Sequence, residues 1–203
     1  MTSPVTRCLL SGNESNHYDG VVTKFRSGNG APWLDLLATL GGRYRARTVD
    51  ALASPALLRE WLRQHGLEPT GAVTEDDLAA ARELREAVHR VTAGSLRGDP
   101  PAPADRRTIA GALAADQPLR LNPRAPEIAV TRPATAAEAL ARLARDAVQH
   151  LVGERRAQLH ACGDDTCSGI FLDATGRRRW CSDQTCGNRL RVRAHRSRAH
   201  SSS

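Results

Sequence analysis

Long apolar runs are missing from this chain of 203 residues. None approaches the roughly 18 residues that a membrane-spanning helix needs, so no membrane segment is expected. The first seven residues (MTSPVTR) also lack the basic-then-apolar pattern of a secretory signal. Both absences predict a cytoplasmic protein, and in that compartment clustered cysteines are metal ligands more often than disulfides.

Aromatic residues are scarce, at 3% of the chain, whereas hydrophobic residues reach 40%. A core must therefore be built mainly from leucine, alanine and valine, which suits packed helices better than a β-sandwich. The length allows one ordinary core and a small appended module. We expect a mainly α (α+β) fold.

Motifs for catalysis are also missing. The sequence contains no glycine-rich phosphate loop, no nucleophile motif and no pair of carboxylates whose spacing demands acid–base chemistry. The acids at positions 75–77 are better explained as residues that favour the start of a helix. The sequence therefore predicts that the protein is not an enzyme.

The positive charge is concentrated near the end of the chain. Residues 155–203 contain ten arginines and four acids, a net charge of +6, whereas the preceding 154 residues have 19 basic and 18 acidic residues. Lys24 is the only lysine, so arginine richness by itself could reflect GC-rich coding. The concentration of the arginines in one segment, however, is typical of a segment that binds a polyanion.

Helical periodicity and capping signals predict a run of helices ahead of this basic segment. They cover residues 32–40, 54–66, a stretch from residue 74 to beyond residue 91, 104–115 and 135–157. Residues 119–121 and 128–131 could pair as a small β-hairpin. The apolar stripes of the helices predict ordinary core, and the histidines at 89, 150 and 160 are expected to be surface or core residues rather than ligands.

The chain divides into three predicted parts. Residues 1–30 form a partly flexible N-terminal segment, residues 31–157 a helical domain, and residues 158–203 a C-terminal module with a basic helix and tail. Cys8, in the first part, is expected to be a bystander, with metal binding and redox chemistry as the alternatives.

Four cysteines define the C-terminal module, with the spacing Cys162-x4-Cys167-x13-Cys181-x4-Cys186. Two close pairs of soft sulfur ligands suit one tetrahedral Zn²⁺ ion in a closed, structural site. Two disulfides, an iron–sulfur cluster and a chance grouping are the alternatives. Zinc is needed because so short a segment has too few apolar residues to fold by packing alone.

The segment around the cysteines predicts a treble-clef-like finger. Residues 168–173 and 177–180 are predicted to pair as two strands around a turn at 173–176. Asn188 is the predicted N-cap of a helix that continues to about residue 199. A knuckle, a hairpin and a helix that begins with a ligand follow one another in that order.

The helix and the hairpin carry the residues that we predict to bind duplex DNA, because arginine pairs with phosphates and with guanine edges. A solvated basic tail is the alternative for this segment. The predicted contact residues are Arg177, Arg178, Arg179, Asn188, Arg189, Arg191, Arg193, Arg196 and Arg198.

Residues 178–182 (RRWCS) and 186–189 (CGNR) resemble the zinc finger that is named for its CGNR signature, and residues 162–167 and 171–173 (FLD) match its first half. Residues 33–40 (WLDLLATL), 47–52 (RTVDAL) and 55–67 are similar to the helical ABATE domain. The resemblance spans residues 30–200 and implies a bacterial, stress-induced transcription regulator whose helical domain senses a signal or dimerises.

These observations predict a DNA-binding regulator located at the nucleoid, with one structural zinc ion. A single finger has a small footprint on DNA, so we expect a homodimer through the helical domain. A small-molecule effector of that domain is a further expectation. A protein-interaction adaptor of the transcription machinery is the main alternative, and RNA binding is another, although few aromatics are present for base stacking.

Overall fold

The computed structural model of the chain describes residues 17–18, 21–22 and 25–201. Cys8 and most of the N-terminal segment that was predicted to be partly flexible lie outside these residues. The described part is mainly helical, with two-stranded antiparallel sheets, which confirms the predicted fold class. Within this part, no helix is long and apolar enough to cross a membrane.

The helical domain contains most of the regular structure. β1 (His17–Tyr18) and β2 (Val21–Val22) precede it in the N-terminal segment. Its own elements in chain order are α1 (Pro32–Ala38), β3 (Leu40–Gly41), β4 (Val49–Asp50), α2 (Pro55–Gln64), α3 (Glu75–Arg97), α4 (Pro103–Leu113) and α5 (Ala136–Val152). The C-terminal module contains a 3₁₀ turn (Glu154–Gln158), β5 (Leu159–Ala161), β6 (Ile170–Leu172), a π-helical turn (Asp183–Gly187) and α6 (Asn188–Ser201).

Side-chain caps begin three of these helices at the predicted places. Ser54 accepts a hydrogen bond from the first turn of α2, and Thr74 forms a reciprocal capping box with Asp77 at the start of α3. Thr135 Oγ1 accepts a hydrogen bond of 3.1 Å from Glu138 N in α5. Each cap pairs backbone donors that the first turn of a helix leaves free, so the signal is local and readable from sequence.

The predicted end of α5 is wrong. The helix was expected to reach residue 157 but stops at Val152, because Gly153 is extended (φ −92°, ψ −179°) and a 3₁₀ turn follows. Within that turn Arg156 donates hydrogen bonds of 2.8 Å to the hydroxyl and the carbonyl oxygen of Ser95 in α3. This long-range attachment turns the chain out of the helix and towards β5.

The sequence predicted one of the two short hairpins of the helical domain and not the other. Leu121 and Val130 form one antiparallel bridge, which confirms the expected pairing around residues 122–129. The β3–β4 hairpin was not predicted. It shortens α1, because Leu40 pairs with Asp50 instead of extending the helix.

One hydrophobic core extends from the helical domain into the C-terminal module. Trp33 of α1 and Trp61 of α2 are almost completely buried among side chains from α3 and α5. Leu159 of β5 and Ile170 of β6 belong to the same cluster. The C-terminal module is therefore packed against the helices.

Residues 25–30 strengthen this junction. Asn29 donates hydrogen bonds of 2.9 and 2.8 Å from its backbone and side-chain nitrogens to the buried Asp35, and its carbonyl oxygen accepts a hydrogen bond of 2.8 Å from Leu172 N in β6. Gly30 has φ +100°, and a Cβ atom there would lie 2.7 Å from Leu172 Cβ. Only glycine allows the chain to pass so close to β6.

Candidate zinc site and arginine-rich helix

The first cysteine pair lies in the turn that joins β5 to β6. The strands pair antiparallel, with His160 opposite Phe171, and the backbone of Cys162 donates a hydrogen bond of 2.8 Å to Gly169 O just beyond the last pair. Cys167 N donates to Asp164 O at 2.8 Å and closes the turn. The hairpin thus brings the two sulfur atoms of this pair together.

The predicted pairing of residues 168–173 with 177–180 is wrong. The backbone partner of β6 is β5, which precedes the first cysteine, and residues 177–180 form no strand. Asp173 instead organises a loop: its carboxylate accepts hydrogen bonds from Thr175 N at 2.9 Å and Arg178 N at 2.7 Å. The carboxylate also accepts a hydrogen bond of 2.7 Å from the Thr175 hydroxyl. This bond, followed by those from the two backbone nitrogens, lowers the pKa of Asp173 to about 2.

The second cysteine pair lies at the entrance to α6. Cys181 follows Trp180, and Cys186 lies within the π-helical turn that runs directly into the helix, which places a ligand at the start of a helix as expected. The predicted N-cap is wrong. Ser182 caps this turn, since its hydroxyl accepts a hydrogen bond of 3.2 Å from Thr185 N, and Asn188 is already helical.

The four sulfur atoms form one compact group. They lie within 4.8 Å of one another, with 3.6 Å between the sulfurs of Cys167 and Cys181 and 3.7 Å between those of Cys181 and Cys186. A tetrahedron with Zn–S bonds of about 2.3 Å has sulfur–sulfur edges of about 3.8 Å. A disulfide needs about 2.0 Å, and all four cysteines are free. This spacing suits a single ion better than a multi-iron cluster.

Gly169 provides the space that the sulfur group occupies. A Cβ atom at this position would lie 2.6 Å from Cys181 Sγ and 3.3 Å from Cys167 Sγ. The glycine nitrogen donates a hydrogen bond of 3.3 Å to Cys167 Sγ. Sequence reasoning missed this residue, although a glycine two positions after a zinc-knuckle cysteine could have suggested a close approach of the backbone.

The four cysteines of the sulfur group influence one another's ionisation. Burial, and then the negative charge of Cys167, raises the pKa of Cys186 to about 12. Hydrogen bonds with Cys162 and Cys167 and then burial raise the pKa of Cys181, whereas hydrogen bonds from Cys167 and Cys181 lower that of Cys162. Burial and the neighbouring sulfurs thus disfavour the thiolate forms of Cys181 and Cys186, and a bound divalent ion would stabilise all four thiolates together.

Two arginines that lie far apart in the sequence donate hydrogen bonds to the sulfur group. Arg26 Nη2 lies 3.4 Å from Cys181 Sγ, and Arg189 Nη2 lies 3.5 Å from Cys186 Sγ. Burial opposes the charge of Arg26, but the negative charges of the cysteines outweigh it and raise its pKa. Outer contacts of this kind orient metal ligands and tune their charge.

Arg189, in the CGNR motif, points inward rather than towards solvent. Its Nη1 atom lies 3.0 Å from Oδ2 of Asp164, a completely buried carboxylate, and 3.2 Å from Thr166 Oγ1. The side chain therefore fastens the start of α6 to the turn that holds Cys162 and Cys167. Asp164 was missed in the sequence, where nothing separates it from an exposed loop acid.

Arg178 also points inward. Its guanidinium lies 4.4 Å from the ring centre of Phe171 and donates to the carbonyl oxygens of Trp180 and Gly28, each at 2.9 Å, and of Cys181. The hydrogen-bond donors of this guanidinium are therefore used by partners inside the protein. The structure thus uses Arg178 to attach the loop to the N-terminal side of the domain junction.

The other predicted contact residues lie on the exterior. Arg179 and Arg191 lie over the Trp180 ring, at 5.3 and 5.7 Å from its centre. Asn188 accepts a hydrogen bond of 2.6 Å from Arg191, and Arg193 lies 3.3 Å from Asp165. All residues from 191 to 198 are exposed. The exposed members form what we term the outer arginine set: Arg177, Arg179, Arg191, Arg193, Arg196 and Arg198.

Fold and site together define a helical domain joined to a four-cysteine zinc finger. The ABATE family, described as "Putative stress-induced transcription regulator", matches residues 30–154, and the CGNR zinc finger matches residues 158–199. The chain belongs to the ABATE family and carries a CGNR zinc finger at its C-terminal end. The predicted cofactor, one zinc ion, is confirmed by this finger and its four clustered cysteines. No curated protein sequence matches the chain significantly.

Proposed function

We propose that this family member regulates transcription by binding duplex DNA through the outer arginine set. The observation that supports this most directly is the surface of α6, where residues 191–198 are all exposed. The helix itself contains no acidic residue. Asp183 and Asp165 of neighbouring segments pair with Arg191 and Arg193, but the closely spaced arginines still repel one another. A phosphate backbone would relieve this repulsion and release counterions.

The zinc site would serve this function by fixing α6 and the loop at 173–180 relative to each other. Cys181 and Cys186 join the end of the loop to the start of the helix, and Arg191 packs over Trp180 between them. The outer arginine set would then meet the duplex as one surface. We assign Arg178 and Arg189 to the folding of the finger rather than to DNA contact, because their donors have partners inside the protein.

The test uses zinc-loaded full-length protein and a labelled random duplex, with affinity measured by fluorescence anisotropy over a range of salt concentrations. Loss of one phosphate contact in Arg196→Ala should weaken binding to all sequences and reduce the salt slope by about 1. Arg107→Ala removes the same charge from an exposed position of α4 in the helical domain and should leave the salt slope unchanged.

The sequence preference is measured by selection from a random duplex pool, repeated with Cys186→Ser. Enrichment that disappears in the mutant would support a zinc-dependent finger that reads sequence, whereas retention without enrichment would indicate phosphate binding alone. Zinc-loaded, folded protein that retains no DNA would contradict the proposal. It would favour an adaptor that binds an acidic protein surface.

We further propose that the chain acts as a homodimer through the hairpin at residues 119–131, because specific recognition by one small finger needs a second half-site. Apolar side chains are exposed there: Ile128 at 93%, Leu121 at 65% and Leu119 at 57%. A second copy would bury them. Light scattering should give a dimer mass that Ile128→Asp reduces to a monomer mass, and a monomeric wild type at micromolar concentration would exclude this dimer.

An effector site in the helical domain completes the proposed function. A cavity of about 460 Å³ lies between α3, α4 and α5, lined by apolar residues that include Val91, Ile109 and Leu151. Its volume is in the range of small-molecule sites. We expect an apolar effector there, acting in the cytoplasm on a protein bound at the nucleoid, and we assign no enzyme activity to the chain.

A further inference from the structure

A second cavity, of about 230 Å³, lies between the β3–β4 hairpin and the zinc finger. Five arginines line it, namely Arg26, Arg43, Arg45, Arg47 and Arg189. The zinc-ligand residues Cys167 and Cys181 also line the cavity, but none of the described lining residues is an aspartate or a glutamate. We term it the arginine cleft.

Two of these arginines are neutralised from behind the cleft. Arg43 lies 2.9 Å from Glu86 of α3 and also donates to the carbonyl oxygens of Leu37 and Leu40. Arg189 pairs with Asp164. These side chains form the wall of the cleft, and their charges are balanced within the protein.

Arg45 and Arg47 have no such balance. Arg45 donates only to neutral oxygens of Thr166, at 3.1 Å to the hydroxyl and 3.3 Å to the carbonyl. In the part of the chain that the structure describes, no carboxylate lies within ion-pair distance of either arginine. Both side chains are exposed, on the helical-domain side of the cleft. Their positive charge is therefore available to a ligand.

The loop that carries both arginines is held in place at each end. Gly42 has φ +75°, and its carbonyl oxygen accepts a hydrogen bond of 2.9 Å from Arg45 N. Asp50 of β4 accepts hydrogen bonds of 2.7 and 2.8 Å from the buried Arg85 of α3. Because the hairpin is anchored to α3, it loses less conformational freedom when a ligand binds.

We propose that the arginine cleft binds a phosphoryl group through Arg45 and Arg47 of the helical domain, next to Thr166 of the finger. Guanidinium forks make strong, charge-assisted hydrogen bonds to phosphate oxygens. The Thr166 hydroxyl donates its proton to Asp164 and accepts a hydrogen bond from Arg45, so it positions this arginine beside the ligand. The group could come from a free phosphate compound or from the DNA backbone. Only the second source rests on the proposed function.

Such a ligand would lie at the domain junction. Arg45 already reaches across it to Thr166, whose hydroxyl also accepts a hydrogen bond from Arg189 at the start of α6. A phosphoryl group at this point would bind best when the hairpin and the finger keep their present separation. Occupancy would therefore influence how firmly α6 is held, and so how well the finger binds its target.

The test is calorimetric titration of zinc-loaded full-length protein with inorganic phosphate, at constant ionic strength set with chloride. We expect saturable binding that Arg47→Ala weakens by about tenfold, since one charge-assisted contact to phosphate is lost. Arg47 is exposed, and its side chain makes no hydrogen bond, ion pair or ring contact with the described residues, so the fold should be preserved. Zinc content and circular dichroism check this.

Two further variants separate the outcomes. Arg107→Ala removes an exposed charge from α4 and should bind phosphate like the wild type, and Arg196→Ala should weaken DNA binding without changing phosphate binding. If Arg47→Ala weakens both phosphate and duplex binding, the site is used by the DNA backbone. If it weakens phosphate binding alone, the ligand is a free phosphate compound. Absence of saturable phosphate binding, or equal binding by Arg47→Ala and the wild type, would overturn the proposal.

Discussion

Arg189 in the first turn of α6 lies 3.0 Å from Asp164, whose carboxylate is completely buried in the turn that holds the first cysteine pair. The same carboxylate accepts a hydrogen bond of 2.8 Å from the Thr166 hydroxyl. The ion pair thus connects the turn of the first cysteine pair to the helix that follows the second pair, independently of the sulfur atoms. It also shows that an arginine in a basic helix can belong to the fold rather than to a ligand.

Removing the buried carboxylate should weaken the finger. Asp164→Ala leaves Arg189 half-buried beside the zinc site without its partner, and loss of one member of a buried ion pair costs about 3 kcal/mol. We expect faster zinc release to a chromophoric chelator and a lower urea midpoint. The neighbouring Asp165→Ala, at a carboxylate whose side chain is 85% exposed, should change stability by less than about 0.5 kcal/mol.

Removing zinc should unfold the C-terminal module while the helical core remains. Structural zinc contributes roughly 10–16 kcal/mol in small fingers, and the local apolar cluster contains little besides Phe171, Trp180 and the cysteines. Chelation should therefore abolish DNA retention and expose backbone amides of the finger to hydrogen exchange. Amides of α3 should remain protected. Full protection of the finger amides without metal would show that zinc is not structural.

A methyl group at position 169 should disrupt the sulfur group. In Gly169→Ala the new Cβ would lie 2.6 Å from Cys181 Sγ, so a ligand must move. We expect at least a tenfold loss of zinc affinity in competition titrations, in line with mutations around other metal sites. The matched control is Gly111→Ala in the last turn of α4, where nothing lies within 4 Å of the new Cβ atom. This substitution should stabilise the protein by about 0.5–1 kcal/mol.

Acid should weaken the helical domain partly through His65. Burial against Trp61, whose ring centre lies 4.2 Å away, lowers the pKa of this histidine below its usual 6.5, and Asp35 opposes the shift. A histidine with a lowered pKa adds stability above pH 6.5, and this is lost as the pH falls below that value. The urea midpoint should fall between pH 7.5 and 5.5, and it should fall less in His65→Gln; equal slopes would exclude this role.

Much of the fold could be predicted because its signals are local. The caps at Ser54, Thr74 and Thr135 act on backbone groups within the next three residues, and the apolar periodicity of each helix repeats over four. Where a distant contact decided the outcome, prediction failed. Gly153 ends α5 before the 3₁₀ turn that docks on Ser95, and β6 pairs with β5 across the cysteine turn.

The sequence by itself determined the helical class, the four sulfur ligands and the segregation of positive charge, because residue chemistry and short spacing carry that information. Only the tertiary structure decided which arginines face the protein and which face solvent. Arg178 and Arg189 turn inward because Phe171 and Asp164 come from other parts of the chain. The same long-range packing brings the hairpin of Arg45 and Arg47 beside the finger, and no pattern within either segment could have indicated it.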